Sequence, residues 1–372
     1  ILYGKIAEEK EMDFSFYMPT RIVCGRDCVV KNTALFQGFG KRALIVTGKS
    51  SDKNGSLTDI TTALNANGQE YTVFDEVPNN PTVQSVRKGA ALARSFGADF
   101  IIAVGGGSPM DAAKAIAMLA CQEAADIFSH PIGKDVLPMV HIPTTAGTGS
   151  EVTPYAILTN DEKETKQSIS APSLFPQIAF LDGKYMENLP QDITVNTAID
   201  AISHAAEGML SQAAGELSDA LAREALRILF GEYECLRTGS YSPESRQNLL
   251  YGAAVAGMVI ANTGTSPVHT LGYSLTYYHG VPHGRANGLL LPAFLEHCLQ
   301  KDKPRTGRVY AALGMGAEEF SQKLALLLGE RERYADAELR SWAHKAAQSR
   351  KKCAISFTED ELFAVLKESV GR

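Results

Sequence analysis

Four residues in the second half of the chain have the types and spacing to bind one divalent metal ion. Asp200 and His204 are four residues apart in a helix-forming stretch, which places both side chains on one helix face. His269 and His283 follow, each in a short segment that contains a proline. Three imidazoles and one carboxylate suit iron(II), zinc or cobalt and leave a coordination position open for a substrate oxygen.

Spacing alone leaves a simpler interpretation of these residues open. An aspartate four residues before a histidine is also an ordinary helical pair, and His269 and His283 taken singly could be structural or surface residues. His279 and His283 are four residues apart as well, but Pro282 disfavours a continuous helix through both of them.

The composition is that of a globular enzyme and excludes several classes of partner. A chain of 372 residues predicts two domains, and 45% hydrophobic with 21% charged residues is ordinary for a soluble protein. The net charge of −6, without a basic run, argues against nucleic acid. No apolar run reaches the roughly 18 residues of a membrane span, and residues 1–13 lack the apolar stretch of a signal peptide. Because the six cysteines form no CxxC pair, we expect free thiols and a cytoplasmic protein.

Strand and helix patterns alternate in the first half of the chain. We predict strands at 42–47, 71–75, 99–104, 139–142, 155–159 and 178–181, with helices at 56–67 and 82–96. This order predicts a parallel sheet with helices on both faces. From about Gln191 onward the apolar spacing is helical, and 182–190 is a plausible connector. The expected organisation is therefore an α/β dinucleotide-binding domain at 1–187 and an all-helical metal and substrate domain at 188–372.

Two polar segments follow predicted strands and could bind a nucleotide. Gly105 to Gly107 come directly after 99–104, and we predict Ser108 as the N-cap of the next helix with Pro109 at its first position. Glycines there let backbone N–H groups approach a diphosphate, although a tight turn needs glycine as well. They follow the third predicted strand, unlike the usual Rossmann fingerprint. The segment 143–153 holds five hydroxyl residues and two glycines, which suit either phosphate and ribose contacts or local side chain–backbone bonds.

Three motifs, in this order, resemble those of the iron-containing alcohol dehydrogenase family, which has the dehydroquinate synthase-like fold. They are GGGSPMDAAK at 105–114, PTTAGTGSE at 143–151 and DAISHAAE at 200–207. His269, with His283 fourteen residues later and followed by Gly284, completes the pattern.

The resemblance implies a set of site residues and an activity. It assigns iron(II), or zinc in some members, to Asp200, His204, His269 and His283. It places the cofactor diphosphate at Gly106, Gly107 and Ser108, with Asp111 close by. It gives the nicotinamide and ribose contacts to Thr144, Thr145, Thr153 and Lys166. It gives an adenosine contact to Asn80. The implied activity is hydride transfer between a nicotinamide coenzyme and a short-chain primary alcohol, diol or aldehyde, with the site in the cleft between the domains. Members are commonly homodimers or larger.

One position departs from the family pattern. Many members carry a second histidine four residues after the one matching His269, and it is credited with proton relay; here that residue is Tyr273. A phenol has an ordinary pKa near 10, so an imidazole-type relay at neutral pH is put in doubt. Cofactor ribose with water, or His279, are the alternatives.

The end of the first predicted strand bears on coenzyme choice. An aspartate at the family position matching Gly48 favours NAD, because a carboxylate accepts from the ribose 2′-hydroxyl and repels a 2′-phosphate. Gly48 removes that repulsion, and Lys49, Ser50 and Ser51 can donate to a phosphate. We therefore expect NADP(H) to be favoured over NAD(H), with Asp52 and Asp75 as rival ribose contacts.

Three other classes of protein remain as alternatives. A glycerol dehydrogenase-like zinc enzyme typically lacks the histidine at position 204. A dehydroquinate synthase-like lyase should show a basic cluster for a substrate phosphate, which is not evident around 197–290. A non-catalytic nucleotide-binding module would have no reason to keep four metal ligands.

Overall fold

The computed structural model describes residues 13–49, 51–349 and 353–372. Ser50, expected above to contact the coenzyme, lies outside the described residues. Within those ranges no helix combines the length and the apolar character that a membrane crossing requires.

A parallel sheet forms the centre of the N-terminal half. The strands of the chain are β1 (Arg21–Cys24), β2 (Arg42–Thr47), β3 (Glu70–Phe74), β4 (Phe100–Gly105), β5 (Met139–Pro143), β6 (Tyr155–Asn160), β7 (Thr165–Ser170) and β8 (Ile178–Leu181). Six of them pair in the order β1-β8-β5-β4-β2-β3, and every pair is parallel. The chain places β3 on one side of β2 and β4 on the other, so the strand order reverses between β2 and β4. Open parallel sheets bind ligands outside the carboxyl ends of the strands at such a point.

Helices cover both faces of this sheet, as predicted. They are α1 (Cys28–Lys31), α2 (Ser56–Ala66), α3 (Val83–Phe96) and α4 (Gly107–Cys121), with short 3-10 helices at Thr33–Phe39, Ser150–Val152, Pro172–Leu174 and Gly183–Met186. All six residues of β4 are buried, because Ile101 and Ala103 pack in the core that contains α3 and α4. Ile102 and Val104 pack on the opposite face with α1 and α2. A strand buried on both faces is apolar throughout, which is why its sequence shows no alternation.

Three strands, β1, β6 and β7, differ from the expectation. No strand was predicted for β1, a four-residue strand that pairs with β8 at the edge of the sheet in the described part of the chain. The glycine segment therefore follows the fourth strand of the chain and not the third. The strand at 155–160 lies outside the main sheet, because it forms an antiparallel hairpin with β7, whose polar sequence was not recognised as a strand.

The C-terminal half is helical, in agreement with the sequence. Its helices are α5 (Gln191–Met209), α6 (Glu216–Gly231), α7 (Tyr233–Thr238), α8 (Pro243–Thr263), α9 (Pro267–His279), α10 (His283–Lys301), α11 (Lys303–Leu313), α12 (Ala317–Leu328), α13 (Asp336–Ala347) and α14 (Glu359–Val370). Helix α5 lies at the centre and packs against α6, α8 and α10.

Candidate active site

Helix α5 carries two of the predicted metal ligands into the protein interior. Asp200 and His204 lie in the middle of this helix and are 3% and 4% exposed. Their Cβ atoms share a face because four residues make about one turn. His204 Nε2 lies 3.8 Å from Asp200 Oδ1, so the two side chains converge on the same point.

The other two ligands lie near the starts of α9 and α10. Pro267 is the first residue of α9 and places His269 in its first turn. Helix α9 ends at His279, where Gly280 adopts a left-handed conformation with φ 66°. Pro282 then precedes α10, which begins at His283. The prediction that Pro282 separates His279 from His283 is confirmed.

Three ligand atoms meet at Asp200. Its Oδ1 lies 3.5 Å from His269 Nε2 and 3.7 Å from His283 Nε2, and the ligand atoms of these three residues are all within 4.8 Å of one another. The His204 ring stacks on that of His269 with centroids 4.6 Å apart. His204 is not a member of this group of three, but it lies directly beside it through Asp200 and His269.

The carboxylate oxygen and imidazole nitrogens of this group fit a divalent cation. The amide nitrogen of Asn287 lies 2.9 Å from Asp200 Oδ1 and 3.2 Å from the Nε2 atoms of both His269 and His283. An amide nitrogen carries two hydrogens and cannot satisfy three acceptors at once. Lone pairs from a carboxylate and two imidazoles directed at one buried point are the arrangement that iron(II) or zinc requires.

The electrostatics of the group keep Asp200 ionised and two of the three imidazoles neutral. Burial alone would raise the pKa of Asp200, but His204, His283 and His269 beside it lower that pKa well below its usual range. Burial lowers the pKa of His204 to about 4, against the attraction of Asp200, and lowers that of His283 well below its ordinary value. These two imidazoles are therefore neutral at neutral pH. For His269 the burial effect is outweighed by Glu207 and Asp200, which raise its pKa to about 9.

One cavity of about 460 Å³ is lined both by the four predicted metal ligands and by Gly107 and Ser108 of the glycine turn. The predicted site residues that line it are Asn80, Gly107, Ser108, Asp111, Thr153, Lys166, Asp200, His204, His269 and His283. The cavity therefore connects the helical half of the chain to the carboxyl end of β4. Gly48, Lys49, Gly106, Thr144 and Thr145 do not line it.

The glycine turn differs in detail from the prediction. Helix α4 begins at Gly107 with Gly106 as its N-cap, so Ser108 and Pro109 are its second and third residues. Ser108 is not the cap because the helix begins before it, and its hydroxyl accepts a hydrogen bond from the backbone N–H of Asn80 at 3.2 Å. Gly106, the N-cap, has no side chain to cap the first turn of α4, whose N-terminal residues Gly107 and Ser108 line the cavity.

Two threonines of the second polar segment leave little room for a side chain at Gly106 and Gly107. A Cβ on Gly107 would lie 2.5 Å from Thr148 Cγ2, and one on Gly106 would lie 3.2 Å from Thr145 Oγ1. The Thr144 N–H donates to Gly105 O at 2.9 Å. The two polar segments are therefore packed directly against each other.

Asp111 and Lys114 fix this segment to α4. Asp111 accepts from the Ser150 hydroxyl at 2.6 Å and from the Ile157 N–H at 3.0 Å. Lys114 is fully buried and donates to Ser150 at 2.8 Å and to the Tyr155 carbonyl at 2.7 Å. Burial lowers the pKa of Lys114 to about 8. These contacts hold the hairpin of β6 and β7, and with it Lys166, over the cavity.

The coenzyme-choice residues lie at the end of β2, beside the glycine turn. Thr47 pairs with Val104 in the sheet, which places Gly48 next to Gly105 at the reversal point. A Cβ on Gly48 would meet only ordinary contacts, 3.8 Å from the Val77 carbonyl and 4.0 Å from Pro109. Lys49 is exposed.

The structure places Tyr273 in the cavity and His279, one of the two alternatives for proton relay, outside it. Tyr273 lines the cavity one turn after His269, and its pKa is raised by burial and by Asp200. His279 does not line the cavity; its Nε2 lies 3.0 Å from Glu338 Oε1, and its ring packs on Tyr334. His279 is therefore wrongly placed for a relay.

Sequence reasoning missed two polar residues of the site. Glu207 was quoted only as part of a motif, and Asn287 not at all. The available signal was their spacing from ligands, since Glu207 is seven residues after Asp200 on α5 and Asn287 is four residues after His283 on α10.

Comparison with known proteins assigns both halves of the chain to the same family. The model for iron-containing alcohol dehydrogenase matches residues 19–183, and that for the C-terminal part of the Fe-containing alcohol dehydrogenase family matches residues 194–369. Lactaldehyde reductase of Escherichia coli is 36% identical over 275 residues, which are 73% of this chain and 70% of that protein.

Solved structures agree over nearly the full length. An iron-containing alcohol dehydrogenase from Thermotoga maritima superposes with a TM-score of 0.89 at 38% identity, covering 96% of this chain and 99% of that one. Sulfoacetaldehyde reductase from Bifidobacterium kashiwanohense, in complex with NAD+, gives 0.87 at 25% identity and covers 96% and 99% of the two chains. The protein is an oxidoreductase acting between alcohols and aldehydes, and the chain belongs to the iron-containing alcohol dehydrogenase family.

Proposed function

We propose that this protein transfers hydride between NADP(H) and a short-chain primary alcohol, diol or aldehyde at a site that binds one divalent metal per chain. The observation that carries the proposal is that Asp200, His269 and His283, whose possible ligand atoms lie close together, line the same cavity as Gly107 and Ser108 at the start of α4. Asp200, His204, His269 and His283 would hold iron(II), or zinc. Such an ion supplies Lewis-acid polarisation of the substrate oxygen.

The N-terminal half would hold the coenzyme. The uncapped start of α4 at Gly106, Gly107 and Ser108 offers N–H groups and a helix dipole to a diphosphate. Thr153 and Lys166 line the cavity between that point and the metal ligands, which supports their assignment to the nicotinamide and ribose. The other proposed members of the coenzyme site are Asn80, Asp111, Thr144 and Thr145. In this arrangement the protein's part is to hold the reacting carbon and the nicotinamide in register.

The preference for NADP(H) rests on the end of β2. A carboxylate beside the glycine turn would repel a 2′-phosphate, and Gly48 supplies none. The exposed Lys49 follows it. Ser50 is retained in this proposal from the sequence alone.

The domain division, the cellular compartment and the oligomeric state are part of the same proposal. The division into an α/β domain at 1–187 and a helical domain at 188–372 accords with the 3-10 helix that ends at Met186 and with the start of α5 at Gln191. The six cysteines are free thiols, which suits a reducing cytoplasm. A homodimer or larger assembly is proposed from the family resemblance.

An anaerobic assay tests the proposed function. Protein purified without chelator should oxidise NADPH in the presence of short aldehydes, and the same preparation treated with a chelator should lose turnover. The kcat/KM for NADPH should exceed the kcat/KM for NADH. Absence of turnover on every short aldehyde, alcohol and diol with iron, zinc or cobalt supplied would contradict the proposal.

A further inference from the structure

Glu207 is a fully buried carboxylate behind one of the metal ligands. It lies on α5 on the same face as Asp200 and His204, seven and three residues after them, and its exposure is zero. A buried carboxylate is costly unless hydrogen-bond donors surround it. Its donors come from the start of α9, the helix that carries His269.

The two carboxylate oxygens of Glu207 have different partners. Oε1 accepts from the Ser266 N–H at 2.9 Å, from the Ser266 hydroxyl at 2.5 Å and from the His269 N–H at 3.4 Å. Oε2 pairs with Nδ1 of the His269 ring. Glu207 therefore caps the N-terminus of α9 with one oxygen and holds the imidazole with the other.

The second contact determines which nitrogen of His269 is free. Nδ1 is committed to Glu207, so Nε2 is the nitrogen that faces Asp200 at 3.5 Å. A carboxylate on Nδ1 keeps the proton there and leaves the Nε2 lone pair for a cation. From this geometry we infer that Glu207 is a positioning residue for the metal site, which orients the His269 ring and selects its metal-binding tautomer. The inference rests on the proposed metal site.

The asymmetry of the contacts makes Glu207→Gln a sharp test. The Oε1 position meets three N–H or O–H donors, so the amide oxygen of glutamine must take that place. The amide NH2 then faces Nδ1 of His269 and donates to it. An Nδ1 that accepts a hydrogen bond puts the ring proton on Nε2, where it competes with the metal. Glutamine would thus preserve the helix cap and the volume while selecting the wrong tautomer.

The alternative is that Glu207 only caps α9. Ser266→Ala is the matched control, since it removes one donor to Oε1 and leaves the ring contact intact. A capping role predicts that Ser266→Ala lowers the unfolding midpoint, that Glu207→Gln, which keeps the cap, changes it little, and that neither variant changes metal affinity. A positioning role predicts that they differ in metal affinity.

The experiment measures cobalt(II) and zinc(II) affinity by competition with a chromogenic chelator, with no coenzyme or substrate present. Glu207→Gln should weaken metal affinity by about 10- to 100-fold and alter the visible absorption of the cobalt protein. Ser266→Ala should change affinity by less than about threefold. Unfolding midpoints measured in chelator report any general loss of structure. Should Glu207→Gln fail to fold, Glu207→Asp replaces it, because the three donors at the start of α9 hold the shorter carboxylate out of reach of the His269 ring, and the same weakening is expected.

Equal affinities in wild type and Glu207→Gln, or equal losses in Glu207→Gln and Ser266→Ala, would overturn the inference while leaving the proposed function standing. A wild-type protein that binds neither of these metals, nor iron(II) under anaerobic conditions, would overturn both.

Discussion

The ring of Tyr273 stacks on the ring of His283, with centroids 5.4 Å apart and planes inclined by 23°. Tyr273 stands where many relatives carry a histidine credited with proton relay, so this contact gives the position another role. The phenol forms a wall of the cavity against a metal ligand. Because burial and the nearby carboxylates raise its pKa, it is a poor base at neutral pH.

Two replacements of Tyr273 distinguish the role of its ring in lining the cavity from any role of its hydroxyl in proton transfer. Tyr273→Phe keeps the stacked ring, so we expect kcat within about threefold of wild type and an unchanged pH profile. Tyr273→Ala removes the ring and should lower kcat/KM by an amount on the order of 10-fold or more, since about 2 kcal/mol of packing is lost. A 100-fold loss of kcat in Tyr273→Phe, measured by steady-state kinetics, would show that the hydroxyl itself moves the proton.

Coenzyme preference should respond to charge at position 48. Gly48→Asp introduces a carboxylate at the end of β2, where the space for a Cβ is ordinary, and should shift kcat/KM toward NADH over NADPH by about 10- to 100-fold. Gly48→Asn is the control of nearly equal size without the charge. The same shift in both variants would attribute the effect to size, and a wild-type preference for NADH would show the assignment of NADP(H) to be wrong.

The glycine at the start of α4 has two possible functions that a double variant distinguishes. Gly107→Ala should lower the unfolding midpoint because its methyl lies 2.5 Å from Thr148 Cγ2, and it should also weaken coenzyme binding. Thr148→Ser removes that methyl group, so Gly107→Ala/Thr148→Ser should recover stability relative to Gly107→Ala. If the backbone also approaches the diphosphate, coenzyme Kd in the double variant stays about 10-fold above that of Thr148→Ser. Full recovery of both properties would mean that Gly107 serves only the contact with Thr148.

Lys166 predicts a pH dependence of coenzyme binding. Burial lowers its pKa to about 8, so the ammonium is charged below that pH and neutral above it. Its attraction for the coenzyme is therefore present at pH 7 and fades between about pH 8 and 10. We expect the wild-type Kd for NADPH, measured by fluorescence titration, to rise over this range. The Kd of Lys166→Arg should stay flat, because guanidinium remains charged. The same slope in Lys166→Met would assign the dependence to another group.

The sequence predicted most of this site because its signals are local. Asp200 and His204 share a helix face by spacing, and the buried strand before Gly105 is a continuous apolar run. The features that could not be predicted from the sequence depend on contacts with residues distant along the chain. Strand β1 exists through pairing with β8, and the Ser108 hydroxyl is taken by Asn80. Glu207 gains its role only when α9 packs on α5, which no spacing rule specifies.

The central claim is that one metal held by Asp200, His204, His269 and His283 is required for turnover, and a metal titration tests it most directly. Chelator-treated protein is titrated anaerobically with iron(II) or zinc(II) while bound metal and aldehyde-dependent NADPH oxidation are recorded together. Activity should rise linearly and level off at about one metal per chain. His269→Ala should keep the circular dichroism spectrum but lose both metal and turnover, whereas His279→Ala, on the same helix but outside the cavity, should behave as wild type. Full turnover in metal-free protein, or in His269→Ala, would contradict the account.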